Sequence, residues 1–429
     1  MIAIPTPDGD AVGFHAVNLQ VARLDRDAWR ALQEPESASA EALGEIARWN
    51  AERDSAAHDG VDPQEVRFLS INVAQICNLK CTYCAAGGDG TFGEATTQID
   101  LEKAYAQLAR FLLPLPRGAR FALNFLGGEP LVAPLAIEGL IARARLLTAG
   151  RDIELIFKIT TNGTLITPAV AAMLERHRFH VQISLDGPPA INDLSRPTAG
   201  GRGSTAATMR GALELFSRKA GLGSISVNAV HGTHNANALA TFGYLREFPW
   251  DRIALTFDST CRDEELSRRF AESLCDAAED AWDIGGEREL RRLHDFDVHF
   301  GILDSQRRNR NFCGAGKSQM LMDASARLYA CYWWAGDKDE VLSDAEGAPT
   351  GARVAAFAEP LVERHGCGSC WARNICGGGC MQVNKATSGD TKIKNESFCE
   401  RTRRIIGKGV ELYERSRRHE RIDVGAEGA

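Results

Sequence analysis

Apolar and polar positions follow two different periods through the middle of the chain. Short runs rich in β-branched and aromatic residues predict strands, and apolar positions three and four apart predict helices. The predicted strands are Val66–Ala74, Arg120–Leu126, Ile153–Thr161, His180–Leu185, Ser224–Val230 and Arg252–Phe257. The predicted helices between them are Leu101–Leu113, Leu131–Thr148, Pro168–Arg176, Ser204–Lys219 and Asn235–Phe248. This alternation predicts parallel βαβ units, in an open sheet or an incomplete barrel, with chemistry at the carboxyl ends of the strands.

The flanking segments carry weaker patterns. Phe14–Leu24 alternates as a short strand does, and Ala40–Ala51 has apolar residues on one helical side. Residues 260–310 are helical in pattern and highly charged. Within them Cys275 lies at helical spacing from three apolar residues, which predicts a buried core thiol, and Cys261 is given no role.

Composition limits the class of protein. The chain has 429 residues and is 44% hydrophobic, enough for a large core and two or three folded units. Its formal charge of −7 argues against a protein held on nucleic acid by phosphate contacts. The first thirty residues lack the apolar segment of a signal peptide, and no run of eighteen apolar residues occurs, so we expect a soluble cytoplasmic protein without a membrane partner.

Twelve cysteines are too many to leave unexplained in such a protein, because disulfides do not persist in a reducing compartment. Three fall between residues 77 and 84, and seven between residues 313 and 399. Clustering of this kind indicates ligation of a metal or an iron–sulfur cluster.

The first cluster, Ile-Cys-Asn-Leu-Lys-Cys-Thr-Tyr-Cys-Ala at 76–85, directly follows a predicted strand. Three thiolates on one loop leave one iron of a [4Fe–4S] cluster open to a small molecule. The spacing of Cys77, Cys81 and Cys84, with Tyr83 before the last, resembles the CxxxCxxC signature of radical S-adenosylmethionine (radical SAM) enzymes. That resemblance implies a partial (β/α)6 TIM-like barrel, a cluster on these cysteines and a SAM contact from Tyr83.

Gly127-Gly128-Glu129-Pro130 follows the second predicted strand. Two glycines let the backbone approach a ligand closely, and a carboxylate stands beside them. The stretch resembles the GGEP motif of the family, which implies contacts to the amino group of bound SAM. Away from the cysteine motif, the same residues would more often form an ordinary turn.

The next two strands end in stretches that resemble the TNGTL and SLDGP segments of the family. The resemblance implies that Ser184 and Arg196 lie near the ribose and carboxylate of SAM and that Asn162 lines the cavity. Asp186 is either a ligand or a turn residue that caps the following segment. Arg202 competes with Arg196 for the carboxylate.

The seven later cysteines resemble the SPASM extension of radical SAM enzymes that act on peptides, which implies two auxiliary [4Fe–4S] clusters and three clusters in all. The implied ligands are Cys367, Cys370, Cys376 and Cys399 for one and Cys313, Cys331 and Cys380 for the other. Four-thiolate zinc sites are the alternative, but seven thiolates leave one zinc site a ligand short. Two departures from the family are Ala326 in place of a usual glycine and the lack of a second thiol close after Cys313.

The resemblance implies a peptide maturase that cleaves SAM to a 5′-deoxyadenosyl radical and forms a C–C, C–O or thioether crosslink in a ribosomally made precursor peptide. An electron donor such as flavodoxin or ferredoxin would be a partner. The alternatives are a sulfatase-type formylglycine maturase, a thioether maturase of an amine dehydrogenase subunit, and an iron–sulfur binding or electron-transfer protein that does not turn over SAM.

Tyr332 and Leu126 stand where sulfatase maturases typically have an acid and a Gln, which counts against formylglycine formation. The run Tyr332-Trp333-Trp334 is either a small hydrophobic core or a wall for an aromatic substrate side chain. Asp337 is the nearest acid and is either a catalytic base or a solvated loop residue. Tyr332 and Asp337 are the candidate catalytic residues.

The predicted boundaries divide the chain into five parts. Residues 1–62 are an extension, either a truncated peptide-recognition element or a purely structural one. The others are a radical SAM core at 63–260, a helical linker at 261–312, the SPASM region at 313–405, and a helix and tail at 406–429.

Overall fold

The computed structural model describes residues 2–6, 9–24, 26–51, 57–59, 65–84, 98–344 and 346–426. The chain divides into two compact units. The barrel unit comprises Pro63–Cys261 and Cys313–Glu359, and the terminal unit comprises Met1–Asp62, Arg262–Phe312 and Pro360–Ala429. The five boundaries expected from the sequence stay predictions.

Within the described residues, the strands are β1 (Ile2–Pro5), β2 (Ala11–His15), β3 (Gln20–Leu24), β4 (His58–Asp59), β5 (Phe68–Ala74), β6 (Arg120–Gly127), β7 (Glu154–Thr161), β8 (His180–Ser184), β9 (Ser224–His231), β10 (Arg252–Phe257), β11 (Arg307–Arg308), β12 (Gln319–Met322) and β13 (Leu328–Tyr329).

The α-helices of the same residues are α1 (Arg26–Gln33), α2 (Ala40–Ala51), α3 (Leu101–Leu112), α4 (Pro134–Thr148), α5 (Pro168–Arg176), α6 (Pro189–Ser195), α7 (Thr205–Phe216), α8 (Ala238–Leu245), α9 (Glu264–Leu290), α10 (His294–Ser305), α11 (Gly351–Ala355), α12 (Leu361–Arg364), α13 (Arg373–Cys376), α14 (Met381–Ser388) and α15 (Glu396–Ala426). None of these helices is both long enough and apolar enough to cross a membrane.

One sheet forms the centre of the barrel unit, with strand order β10-β9-β8-β7-β6-β5-β12-β13. Strands β5 to β10 are parallel and stand in chain order, with at least one helix in each connection. This arrangement confirms the predicted α/β fold with a partial (β/α)6 barrel. Strand β12 adds a parallel edge to β5, and β13 pairs with it antiparallel.

Strand β5 is buried on both faces, as parallel strands usually are, whereas β7, β8 and β9 alternate buried residues with partly buried ones. Along β5, Leu69, Ile71 and Val73 are fully buried, and so are the polar residues Ser70 and Asn72 that alternate with them. Polar side chains therefore lie on one face of the sheet, and the apolar face packs against helices.

The helices of the barrel begin where the sequence supplies an N-cap. Asp100 accepts a hydrogen bond from the Lys103 N–H at the start of α3, and Thr167 accepts one from Val170 at the start of α5. The helix predicted over Leu131–Thr148 begins later, at Pro134, because the residue before a proline is biased away from helical conformation.

The terminal unit contains the antiparallel sheet β1-β2-β3 and helices α9, α10 and α15. Its core includes Val12, Phe14, Leu303, Ile406 and Val410. The single strand predicted over Phe14–Leu24 is wrong, because β2 turns back into β3. The turn has Leu19 at φ 55° and no glycine or proline, so the alternating pattern gave no sign of it.

Cys275 on α9, predicted as a buried core thiol, is partly buried. Its Sγ lies 3.9 Å from the Arg404 carbonyl oxygen of α15. Burial raises the pKa of this thiol to about 12, which makes it a poor nucleophile.

Candidate active site

The loop after β5 carries Cys77, Cys81 and Cys84, all partly buried. The Leu79 N–H donates to Cys77 Sγ at 3.4 Å, which fixes the turn between the first two cysteines. The pKa of the Cys77 thiol is raised to about 12, chiefly by burial and in smaller part by nearby Glu129, Cys81 and Cys84. The three thiols therefore lie close enough to influence one another.

Two glycines bring the end of β6 against this loop. A Cβ atom on Gly127 would lie 2.1 Å from the Ala74 carbonyl oxygen, and one on Gly128 would lie 2.1 Å from that of Ile76. Gly128 N and Glu129 N donate to the same two oxygens, each at 2.9 Å. The close approach predicted for these glycines is thus made to the chain's own cysteine loop.

Glu129 ties the end of β6 to the end of β7. Its side chain is 1% exposed and accepts hydrogen bonds from the Thr161 hydroxyl at 2.7 Å, the Asn162 N–H at 2.8 Å and the Leu131 N–H at 3.0 Å. Burial raises the pKa of this carboxyl above its usual value, although these donors oppose the effect. Pro130 begins a short 3-10 helix, Pro130–Val132. The result is a buried acid at the carboxyl edge of the sheet.

Asn162 contacts Cys77, the first cysteine of the loop. Its Nδ2 is 3.7 Å from Cys77 Sγ and donates to Asn78 Oδ1 at 2.9 Å. Its Oδ1 accepts from the Thr164 N–H at 3.0 Å and from the Thr164 hydroxyl at 2.6 Å. Both ends of this amide are used, and they orient the cysteine loop against the end of β7.

Asp186 is fully buried after β8 and is surrounded by donors. Its carboxylate accepts from the Tyr83 hydroxyl at 2.8 Å, the Ser195 hydroxyl at 2.6 Å and the Val230 N–H at 3.0 Å. Arg196 Nε lies 3.0 Å away in an ion pair. Burial alone would raise the pKa of Asp186, but Arg196 and these donors bring it below its usual value. The structure favours the structural interpretation of Asp186.

Arg196 also faces the cysteine loop. Its Nη1 is 3.9 Å from Cys81 Sγ, and its guanidinium carbon lies 5.3 Å from the centre of the Tyr83 ring. Arg202 is exposed, and Ser184 is partly buried at the end of β8. The residues predicted around SAM are therefore gathered at one edge of the sheet, with Arg202 on the surface.

Three nearby residues were missed by the sequence analysis. The His234 ring stacks on Tyr83 with centroids 5.0 Å apart, and burial lowers the pKa of His231 to about 4. Asn72 is fully buried, and within the described residues neither its Nδ2 nor its Oδ1 has a hydrogen-bond partner. The two histidines fall at the end of the fifth predicted strand, and that position was the available signal.

The aromatic run after Cys331 is divided between core and surface. Trp334 is buried and its ring lies 6.4 Å from that of Phe357, whereas Tyr332 is 39% exposed against Trp333. Asp337 accepts a hydrogen bond at 3.0 Å from the backbone N–H two residues on and so caps a short 3-10 helix. Trp334 fits the core interpretation, and Tyr332 lies at the surface.

Ala326 adopts the left-handed conformation, with φ 64°. The departure from the glycine usual at this position therefore keeps the glycine-type turn and places a side chain in it. Ala326 N donates to the Asp323 carbonyl oxygen at 2.9 Å, which closes the turn before β13.

Four later cysteines gather within the terminal unit. Burial raises the pKa of Cys376 to about 12, and Cys399, Cys367 and Cys370 all add to the effect. The chain between Cys376 and Cys380 consists of three glycines with φ of 73°, 92° and 82°. Residues other than glycine rarely adopt these backbone angles. This turn directs the chain from Cys376 to Cys380, the residue before α14.

The donor chemistry fits iron–sulfur clusters, because thiolates are the usual cluster ligands. Among the described residues, no three His, Cys, Asp or Glu side chains surround a single metal-ion position. A cluster does not require that arrangement, since each thiolate binds a different iron. Cys313 and Cys331 belong to the barrel unit and Cys380 to the terminal unit, and their shared ligation stays a prediction.

A parallel partial barrel with three cysteines on the loop after its first strand defines the class of protein. Residues 71–242 match the model of the radical SAM superfamily, and the chain belongs to that superfamily. Membership implies one [4Fe–4S] cluster and SAM as cofactors.

The similarity to two curated relatives extends beyond the barrel. The mycofactocin maturase MftC of Mycobacterium ulcerans (strain Agy99) is 31% identical over 332 residues, which cover 73% of this chain and 82% of the relative. The serine-type anaerobic sulfatase-maturating enzyme of Klebsiella pneumoniae is 27% identical over 342 residues, covering 74% and 82%.

Two solved structures share the fold. Native anSMEcpe with bound AdoMet has a TM-score of 0.67 at 19% identity and covers 81% of this chain and 98% of its own. Streptococcus suis SuiB bound to precursor peptide SuiA has a TM-score of 0.52 at 14% identity and covers 90% and 96%. At these identities the likeness shows the fold.

Proposed function

We propose that the chain is a radical SAM maturase that forms an intramolecular crosslink, through a C–C, C–O or thioether bond, in a ribosomally synthesised precursor peptide. The observation that carries the proposal is the three-cysteine loop, held at the carboxyl edge of the barrel against Glu129 and Asn162, with the hydroxyl of its own Tyr83 bonded to Asp186. Support for a peptide substrate comes from MftC, a maturase by name, and from SuiB, which was solved with a precursor peptide.

Cys77, Cys81 and Cys84 would hold the SAM-binding cluster. A reduced cluster bound here would give one electron to SAM, which would cleave SAM to methionine and a 5′-deoxyadenosyl radical able to remove a hydrogen atom from an unactivated carbon. The chain's part is to orient the cysteine loop through Asn162 and the two glycines, and to keep the reaction away from water.

The SAM contacts are proposed for residues at the same edge of the sheet. Buried Glu129 offers a carboxylate to an amino group, and the backbone at Gly127, Gly128 and Pro130 lies beside it. A charged ammonium group gains most from a carboxylate that is already removed from water. Asn162, Ser184 and Tyr83 are the further SAM neighbours that we propose.

Two auxiliary [4Fe–4S] clusters complete the proposal. The four thiols of Cys367, Cys370, Cys376 and Cys399 influence one another within the terminal unit, which supports one four-ligand cluster. The second takes Cys313, Cys331 and Cys380. An electron donor such as flavodoxin or ferredoxin would reduce the protein, and Tyr332 and Asp337 are the candidate catalytic residues on the substrate side.

Formylglycine formation is the second candidate function, and the Klebsiella relative favours it. Leu126 and Tyr332 stand where such enzymes typically have a Gln and an acid, so we rank it lower. Incubating the reduced protein with SAM and a sulfatase peptide that contains Cys or Ser distinguishes the two. Mass spectrometry would show formylglycine if the ranking is wrong.

The primary test is an anaerobic reconstitution with iron and sulfide, followed by dithionite reduction in the presence of SAM. We expect about twelve irons in the wild type and about eight in a triple Cys77→Ala/Cys81→Ala/Cys84→Ala variant, with 5′-deoxyadenosine formed only by the wild type. Cys261→Ala is the matched control, since that cysteine is outside both motifs.

Three outcomes contradict the proposal. Stoichiometric zinc in place of iron would make the protein a structural zinc protein. SAM cleavage that survives the triple substitution would place the chemistry elsewhere. Three clusters without 5′-deoxyadenosine would make it an iron–sulfur binding or electron-transfer protein.

A further inference from the structure

The segment after α6 is joined to the cysteine loop through its backbone. Thr82 N donates to the Ser195 carbonyl oxygen at 2.9 Å, and Lys80 N donates to that of Pro197 at 2.8 Å. A β-bridge between Leu79 and Thr198 continues the contact. Residues 195–198 are therefore fixed against the loop that carries Cys81.

Arg196 lies within this segment, and its side chain points at the loop. The guanidinium Nη1 is 3.9 Å from Cys81 Sγ, whereas Nε is 3.0 Å from Asp186 Oδ1. The side chains of Arg196 and Asp186 are only 8% and 0% exposed. The positive end that is not used by Asp186 is thus directed at a cysteine sulfur.

Asp186 fixes this geometry. Its carboxylate also accepts from the hydroxyls of Tyr83, beside the third cysteine, and Ser195. The planar guanidinium is further held over the Tyr83 ring. A charge that is both buried and immobilised acts on its neighbours with little solvent screening.

We propose that Arg196 serves the cluster rather than the carboxylate of SAM: held by the positioning residue Asp186, it keeps a fixed positive charge at Cys81 and raises the reduction potential of the cluster on the three cysteines. This inference rests on the proposed function, because it requires a cluster at Cys77, Cys81 and Cys84. Nothing in the family resemblance assigns this role to Arg196, which was expected at the SAM carboxylate.

The physical basis is the charge change on reduction. One electron from an added reductant makes the cluster more negative, and a nearby cation stabilises that form. Cluster potentials depend on net charge and on hydrogen bonds to the sulfurs. Asp186 opposes the effect, but it contacts the far side of the guanidinium, so the closer cation dominates at Cys81.

The test is a redox titration of the reconstituted full-length protein, followed by EPR in the absence of SAM. Arg196→Gln removes the charge, and we expect the potential of the three-cysteine cluster to shift to a more negative value. Arg196→Lys keeps the charge and should leave the potential near that of the wild type. Arg202→Gln, an exposed arginine six residues on, is the matched control and should cause no shift.

A double variant guards against misfolding. Arg196→Gln alone leaves Asp186 buried without its cation, which can prevent folding. Arg196→Gln/Asp186→Asn removes both charges, keeps side chains of similar size, and should still shift the potential to a more negative value, by less than the single variant.

The outcomes separate the inference from the proposed function. Absence of iron in the wild type would defeat the proposed function itself. A bound cluster with unchanged potential in both Gln variants, or an equal shift in Arg196→Lys and Arg196→Gln, would overturn the role of the Arg196 charge. A loss of SAM affinity in Arg196→Gln with no change of potential would return Arg196 to the SAM carboxylate.

Discussion

The loop with Cys77, Cys81 and Cys84 and the later group of Cys367, Cys370, Cys376 and Cys399 offer the same donor atom in different surroundings. Around Cys77 and Cys81, the charged neighbours are Glu129, Asp186 and Arg196, all buried. Around Cys399, the neighbours include exposed Glu396 as well as Lys394 and Arg403. The first loop is embedded in a fixed polar framework, and the second stands among surface charges of both signs.

The two groups of cysteines also differ in their number of thiols. Three thiols on the first loop would leave an iron of a [4Fe–4S] cluster open to a small molecule, and four thiols in the later group would saturate the cluster that we propose there. Ligand type alone therefore does not decide the chemistry. The open position and the rigidity of the surroundings distinguish a reactive site from a structural or electron-carrying one.

The largest expected effect comes from paired cysteine variants. Cys77→Ala should reduce 5′-deoxyadenosine formation to background, because the iron that would bind SAM is lost. Cys376→Ala should keep SAM cleavage while reducing peptide crosslinking. Anaerobic chromatography of 5′-deoxyadenosine checks both variants. An equal loss of 5′-deoxyadenosine formation in both variants would show that the two groups of cysteines do not differ in function.

Asp186→Asn should cause the largest loss of stability. It leaves the buried Arg196 guanidinium without its carboxylate partner, and breaking a buried pair in this way costs about 3–5 kcal/mol. Thermal unfolding followed by circular dichroism measures the effect. Asp344→Asn, an exposed acid on a loop of the same unit, is the control and should unfold close to the wild-type temperature. A wild-type melting temperature for Asp186→Asn would show that the framework is not stabilising.

Gly128→Ala should displace the loop with Cys77, Cys81 and Cys84 and leave the later cysteines in place. The added methyl would meet the Ile76 carbonyl, and we expect overpacking to cost about 1–3 kcal/mol and to lower iron content by one cluster. Gly243→Ala in α8, where nothing lies within 4 Å of the added Cβ, is the control. Full iron content in Gly128→Ala would show that the loop tolerates the shift.

Acidification should weaken the barrel unit through His231. Its folded pKa of about 4 is below the ordinary value of 6.5, so the unfolded chain binds the proton more readily. Stability is therefore full above pH 6.5 and falls as the pH decreases towards 4, by about 2 kcal/mol between pH 7 and pH 5. Melting temperatures at the two pH values, with His231→Gln as the comparison, measure it. A slope that is identical in the variant would assign the effect to other groups.

Ala326→Gly should have the smallest effect, a change below about 1 kcal/mol. Glycine relieves the left-handed strain at φ 64°, but it removes a buried methyl and gains freedom in the unfolded chain. Chemical denaturation checks the result. A stabilisation well above this range would mean that strain dominates at this turn.

The sequence was most informative where a pattern is local. Strand β10 has the predicted bounds, and β6 and β7 differ from prediction by one residue at one end, because buried strands between helices have a clear period. The spacing of Cys77, Cys81 and Cys84 was an equally clear indication of the superfamily. The hairpin between β2 and β3 was not indicated by the sequence, since its turn has neither glycine nor proline, and Asn18 alone does not interrupt the alternating pattern.

Contacts between side chains that are distant along the chain could not be predicted from the sequence. Asp186 contacts Tyr83 across 103 positions of sequence, and His234 reaches the Tyr83 ring from the end of a different strand. Whether Asp186 binds a ligand or holds its neighbours depends on these distant contacts. Spacing ranked Arg196 and Arg202 equally, and only burial separates them.

The interleaving of the two units has a consequence for synthesis on the ribosome. Strand β12, which covers the edge of β5, is made more than fifty residues after β10, because Arg262–Phe312 belongs to the other unit. Until then β5 exposes an open edge that can pair with another chain. The terminal unit waits longer still, since Val12 and Phe14 pack with Ile406 and Val410. Both units therefore mature late, and the growing chain depends on protection from aggregation for most of its translation.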